Sequence, residues 1–185
     1  MNKSDKKMLE EGVINFFDKK EEYKSLSNFS ALEVVIGERN YESGEHAYHG
    51  EKYRLLGELC EDEKRKKELI DYSEKFVKPS LFGYGNEVKS KGGKKGLIIN
   101  ESERSIWFDI GINLQRKICK YKYDNYVVVR TDLIKSGTKL LVHPAMRCNE
   151  EKVIEKLWEG RGIIVDGKIE IIGMNMLGKL WMELR

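Results

Sequence analysis

The sequence has no run of 18 apolar residues, which excludes a membrane-spanning helix. It also lacks an excess of one charge: 34 Lys or Arg stand against 31 Asp or Glu, and a formal net charge of +3 is too small for a strongly basic nucleic-acid coat. Prolines number two, Pro79 and Pro144, and there is no Gly/Ser tract, so a flexible interdomain linker is not expected. Three cysteines, Cys60, Cys119 and Cys148, are an odd set without CxxC spacing. The stretch Met1 to Gly12 is charged and has no apolar h-region, so no secretory signal is expected and the location read from the chain is cytoplasmic. In that setting the cysteines read as reduced thiols, with a catalytic thiolate as the sharper alternative.

What is present is enough apolar material for one core, 40% hydrophobic with 10% aromatic in 185 residues. The expected organisation is a flexible lead-in over residues 1–12 and a single domain over 13–185. Val13-Ile14-Asn15-Phe16-Phe17 reads as a short strand, and Leu32 to Tyr41, broken at Gly37, as a hairpin or bent strand. Ser43 is placed to cap a helix over 44–56, and 62–72 reads as a second helix whose Lys and Glu residues form a solvated face. Residues 79–102, with five glycines and a Lys-rich run, read as an insert-like loop. Ile106, Ile110, Leu114 and Ile118 recur at i+4 and predict a helix with that stripe on the core. Around Tyr126-Val127-Val128-Val129 strand propensity conflicts with the helical spacing of Leu133 and Ile134. Asn149 caps an expected helix carrying Val153, Ile154, Leu157 and Trp158 on one face. Asp166-Gly167 joins two β-branched runs as a hairpin turn, and Leu177, Leu180, Trp181 and Leu184 mark a last helix.

On the helix after Ser43, Glu45, His49 and Lys52 fall at i, i+4 and i+7, with Tyr48 beside them. A carboxylate, an imidazole and an amine on one face suit an anionic, hydroxyl-rich ligand. In so charged a chain the same spacing also describes a solvated charge ladder, and spacing alone leaves both readings open. His46 and His49 are three apart, but Glu45 and His46 project about 100° from one another and no further ligand set completes a shell, so no metal is expected. Trp107, Trp158, Phe17 and Phe29 read as core residues or as stacking platforms for a base. Asn175, between Gly173 and Gly178, reads as a helix cap or as a polar ligand contact.

In order along the chain, Ile14-Asn15-Phe16-Phe17, Leu26-Ser27-Asn28-Phe29-Ser30, Ser43-Gly44-Glu45-His46-Ala47-Tyr48-His49 with Lys52-Tyr53, Trp107, and Gly173-Met174-Asn175-Met176-Leu177-Gly178 with Met182-Glu183-Leu184-Arg185 resemble the NADAR, or YbiA-like, superfamily. The resemblance runs from residue 13 to the end and places a Lys-aromatic pair on Lys122-Tyr123. It implies a compact, mostly helical α+β domain with short strands and a β-hairpin in the C-terminal half, and it decides residues 124–136 as helix. It further implies an N-glycosidase that hydrolyses a ribosyl C1–N bond without a cofactor. The substrates implied are ADP-ribosylated guanine in nucleic acid or nucleotides, or ribosylated, phosphorylated pyrimidine intermediates of riboflavin synthesis.

Carried over by position, the resemblance places the acidic and basic groups on Glu45 and Lys52, a second acidic residue on Glu155, and substrate contacts on Asn28, Tyr48, His49, Trp107, Trp158 and Asn175. Three positions depart from the family pattern: His49 for Gln, His143 for an acidic residue, and Glu159 and Arg161 within the usual Trp-Gly-x-Gly. Arg161 adds a cation suited to a diphosphate. The reaction accounts for these residue types. Breaking a ribosyl C1–N bond builds oxocarbenium-like charge, so it needs a carboxylate, first Glu45 and then Glu155; the leaving nitrogen needs a proton, from Lys52 or a backbone donor; Trp107 or Phe17 would stack on the base. The competing expectation is a non-catalytic ADP-ribose or nucleotide-binding module that keeps the pocket.

Overall fold

The computed structural model describes residues 2–185, and Met1 of the expected lead-in lies outside them. Among the described residues the helices are α1 (Lys3–Gly12), α2 (Gly44–Glu58), α3 (Glu63–Glu74), α4 (Asn86–Lys91), α5 (Glu101–Asn125), α6 (Val127–Ser136), α7 (Glu150–Ile154) and α8 (Met176–Leu184). The strands are β1 (Val13–Asn15), β2 (Val34–Ile36), β3 (Arg39–Tyr41), β4 (Leu140–Val142), β5 (Arg161–Val165) and β6 (Lys168–Ile172). This is the mostly helical α+β class that the sequence predicts. None of the described helices is long and apolar enough to cross a membrane. Within the span expected as one domain the chain forms two compact units, residues 28–125 and, separately, the residues up to Ser27 together with 126–185.

The middle unit is organised on α2. Ser43 caps it, its Oγ accepting from the His46 N–H at 3.3 Å, and eleven of its fifteen residues are buried. Ala47, Tyr53 and Leu56 pack in one core with Val34, Tyr41, Leu69, Phe76, Leu114 and Ile118. Strands β2 and β3 pair antiparallel with Val34 opposite Tyr41, turning at Gly37 where φ is 61°. Helix α3 keeps only Leu69 and Ser73 buried, which leaves its charged face in solvent as expected.

Two expectations in this unit are corrected. The segment 79–102 is not wholly a loop: α4 lies inside it, anchored by the fully buried Val88. The Tyr72 hydroxyl donates to the Lys91 carbonyl at 2.9 Å and the Tyr53 hydroxyl to the Leu97 carbonyl at 2.8 Å, so distant phenols supply order that a Gly/Lys-rich composition does not reveal. The second correction concerns α5, which starts before the periodic stripe, at a reciprocal capping box: the Glu103 N–H donates to Asn100 Oδ1 at 2.9 Å and the Asn100 N–H to Glu103 Oε2 at 2.8 Å. Leu114 and Ile118 of the expected stripe are buried, whereas Ile106 is exposed and its neighbour Trp107 packs against the core in the early turns.

In the other unit β1 and β4 pair in parallel, Val13 opposite Leu140. The β5–β6 hairpin closes through Asp166 and Gly167, both at positive φ (48° and 71°), the geometry that matches strand twist. Helix α6 forms despite its three consecutive valines because Val129 and Leu133 bury one side while Val127 and Val128 remain exposed. Residues 3–12 are helical rather than a loose lead-in: Asn2 Oδ1 accepts from the Asp5 N–H at 2.8 Å, Lys-Glu pairs stand at i,i+4, and α1 packs on β5 and β6. Helix α7 stops at Ile154, so Leu157 and Trp158 do not share a helical face with Val153. The carbonyls of Lys156, Leu157 and Glu159 instead accept from the backbone of Met174, Met176 and Asn175.

Asn175 precedes α8 without a side-chain cap hydrogen bond. It sits in the left-handed region (φ 47°), its Oδ1 accepts from the His143 N–H at 3.1 Å, and its Nδ2 donates to the Leu141 carbonyl at 2.9 Å. Gly178 permits this approach, since a Cβ there would overlap the Leu141 carbonyl oxygen. Asn175→Ala strands two buried backbone groups and is expected to cost about 2–4 kcal/mol. Urea unfolding measures it, and a midpoint unchanged from the parent's would refute the bridging role.

Candidate active site

The first turn of α2 is built from both its flanks. The Glu45 N–H donates to the Asn28 carbonyl at 2.9 Å, and the Asn28 amide forms a reciprocal pair with Gln115 of α5 (2.8 and 3.0 Å). Asn28 therefore supports the start of the helix through its carbonyl, and its side chain is engaged by Gln115. Glu45 sits in the first turn, where the helix dipole favours an anion.

Glu45, His49 and Lys52 are 9%, 8% and 6% exposed, which excludes the solvated-ladder alternative. His49 Nε2 lies 3.2 Å from Glu45 Oε1. Burial pushes the His49 pKa below its ordinary value; Glu45 opposes this, and Lys52 and Lys89 add to it. Burial likewise lowers Lys52 to about 8 against the pull of Glu45. The Lys52 ammonium donates to the Gly92 carbonyl and stands 4.3 Å above the Tyr53 ring. Tyr48 meets Trp107 edge-on at 5.0 Å and His49 at 5.4 Å, so a half-buried aromatic pair flanks the charged groups.

The structure thus gathers Asn28, Glu45, Tyr48, His49, Lys52 and Trp107 in the middle unit. Of the other expected site residues, all in the second unit, Glu155 is exposed at the end of α7, and Phe17 and Trp158 are half-buried. Arg161 donates from Nη2 to the carbonyls of Ala145 (3.3 Å) and Cys148 (2.6 Å), bracing that loop. His46 is fully buried with Nε2 3.1 Å from the Phe82 carbonyl and Nδ1 2.8 Å from Ser43 Oγ, so it secures the helix start. Among the described residues no group of three or more His, Cys, Asp or Glu could hold a metal ion.

Sequence reasoning missed Gln115, Gly92 and the placement of Lys89, whose ammonium lies 5.7 Å from the Phe29 ring centre. Gly92 has an ordinary right-handed backbone (φ −74°), yet a Cβ on it would overlap the His49 ring. Gly92→Ala is therefore expected to cost about 1–3 kcal/mol through displacement of one or the other. Thermal unfolding reads this directly, and an undiminished midpoint would show that the segment yields freely.

No protein-family model matches the chain. In sequence and in fold it is nevertheless similar to YbiA proteins, in line with the resemblance to the NADAR superfamily. The chain is 23% identical to the N-glycosidase YbiA of Escherichia coli (strain K12) over 178 residues, covering 96% of this chain and 89% of that protein. The N-glycosidase YbiA of Shigella boydii serotype 4 (strain Sb227) gives the same identity and shares. The NMR structure of the E. coli protein YbiA matches the fold with a TM-score of 0.57 at 22% identity, over 94% of this chain and 83% of that one.

Proposed function

We propose that the chain is an N-glycosidase that hydrolyses the bond between a ribose C1 and a nucleobase-like nitrogen. The observation that carries this reading is a carboxylate buried in the first turn of α2 and hydrogen-bonded by an imidazole, with a buried amine on the same helix face. As the C1–N bond lengthens, positive charge grows on the sugar, and Glu45 stabilises it or takes the proton of the attacking water. Lys52 supplies the proton for the departing nitrogen. With its pKa lowered to about 8 the ammonium is a stronger acid than an ordinary lysine, yet it remains mostly protonated at neutral pH. The water oxygen ends on C1 and its second proton stays with the ribose hydroxyl. Tyr48 and Trp107 offer the stacking surface for the base.

The finer reading is that the ribosyl donor is ADP-ribosylated guanine, in nucleic acid or as a nucleotide, or a phosphorylated ribosylamino-pyrimidine. The family resemblance supports it, and Lys89 and Lys91 of α4, which packs against α2, with Lys94 and Lys95 following in the sequence, provide cations for phosphate. Glu155, Phe17 and Trp158 are proposed as secondary contributors on the resemblance alone, and Arg161, which departs from the family pattern, as a cation for a diphosphate. Product chromatography after incubation with DNA carrying ADP-ribosyl-guanosine, and separately with a ribosylamino-pyrimidine phosphate, tests the proposal. Release of the free base supports it and identifies the substrate arm. Tight ADP-ribose binding in calorimetry without base release from either probe would replace it with the non-catalytic module.

A further inference from the structure

His49 is buried, and its two ring nitrogens meet opposite fates. Nε2 lies 3.2 Å from Glu45 Oε1, whereas Nδ1 is buried and has no hydrogen-bond partner among the described residues. A proton on Nδ1 would be an orphaned buried donor and would turn the Nε2 lone pair toward a carboxylate oxygen. With the proton on Nε2 the imidazole donates to Glu45, and the unmatched atom is an acceptor, the less costly of the two. The ring has little freedom to leave this pose. Tyr48 stands edge-on to it at 5.4 Å, Phe76 tilts across it at 6.2 Å, and the Gly92 backbone lies so close that a Cβ would overlap Cγ, Nδ1 and Cδ2. Gly92 is itself held through its carbonyl, which accepts from the Lys52 ammonium.

We infer that His49 is a positioning residue: a neutral imidazole protonated on Nε2, wedged by the Gly92 segment, holds the Glu45 carboxylate in one orientation for the reaction. This rests on the glycosidase reading of Glu45. The charged groups acting on the imidazole are Glu45 and Lys52 of α2 and Lys89 of α4. Burial, first, and then the two cations disfavour a second proton on the ring against the pull of Glu45, so His49 serves as a hydrogen-bond donor rather than as an acid that shuttles protons.

Two measurements on the full chain test the inference. In the first, long-range 15N–1H correlation spectra of the parent are expected to show the His49 ring as the neutral Nε2–H form at pH 7, and an Nδ1–H form or an imidazolium overturns the inference. In the second, kinetics compare His49→Gln, whose side-chain amide keeps an N–H donor, with His49→Leu, which has none. His49→Leu is expected to lose about 10²-fold in kcat with little change in KM, as for a misplaced reacting group. The acidic limb of its kcat/KM profile should move to higher pH, because the carboxylate loses a donor to its charged form. His49→Gln is expected to recover most of the turnover and the parental acidic limb. Equal loss in both variants with an unmoved limb indicates packing alone and refutes positioning. A parent that releases no base from either ribosylated probe refutes the glycosidase reading instead, and the tautomer measurement still decides the hydrogen bond.

Discussion

Glu45→Gln is expected to lower base release by on the order of 10³-fold or more while leaving the fold intact. The replacement keeps the shape and an acceptor oxygen for the His49 Nε2–H, and the backbone bond from residue 45 to the Asn28 carbonyl does not involve the side chain. What disappears is the negative charge, and with it both the electrostatic stabilisation of an oxocarbenium-like sugar and the base that activates water. Some stability changes with the charge, since an anion in the first turn of a helix contributes roughly 0.3–1 kcal/mol. That is far too little to unfold the chain. Initial rates of base release, with circular dichroism and thermal unfolding as controls, separate the two effects. Turnover at the parental rate by a folded Glu45→Gln protein removes Glu45 from the chemistry.

How much of this site was legible beforehand depends on the range of the interactions. Local signals carried well: Ser43 starts α2, Asp166-Gly167 turns the last hairpin, and Asn149 caps α7, each through contacts within a few residues. The grouping of Glu45, Tyr48, His49 and Lys52 followed from helical spacing, but their burial did not, because a solvated ladder and a buried polar face share one periodicity. Burial is decided by partners distant in sequence, notably Gly92 over His49 and Gln115 on Asn28, 87 residues away. The same cause hid the role of Asn175. A glycine-flanked asparagine before a helix reads locally as a cap, whereas its amide bridges backbone groups at Leu141 and His143 across more than thirty residues. Elements without apolar periodicity, α1 and α4, went unread because capping and long-range anchoring hold them in place of a stripe.

Lys52 should disclose itself through pH, with activity and stability moving in opposite directions. If its ammonium protonates the leaving nitrogen, the parent's kcat/KM falls as pH rises through about 8, where the buried amine loses its proton. Lys52→Met is expected to lose roughly 10²- to 10³-fold in turnover at pH 7. In Lys52→Arg, whatever activity survives should lack that alkaline limb, since a guanidinium keeps its proton throughout this range. Stability responds with the other sign. The folded-state pKa of about 8 lies below the ordinary 10.5 of an unfolded lysine, so between these values the unfolded chain binds more protons than the folded one. The contribution of Lys52 to stability therefore rises with pH across that window and is flat below it. Lys122, buried and also lowered to about 8, contributes a parallel rise in parent and variant alike, so the difference between them isolates Lys52. Denaturant unfolding at pH 7.5 and 9.5 should thus show the parent gaining on Lys52→Met as pH increases while its catalysis declines. An alkaline limb retained in Lys52→Arg assigns the proton to another donor, and a parent–variant stability gap that stays constant with pH shows that Lys52 is not buried as described.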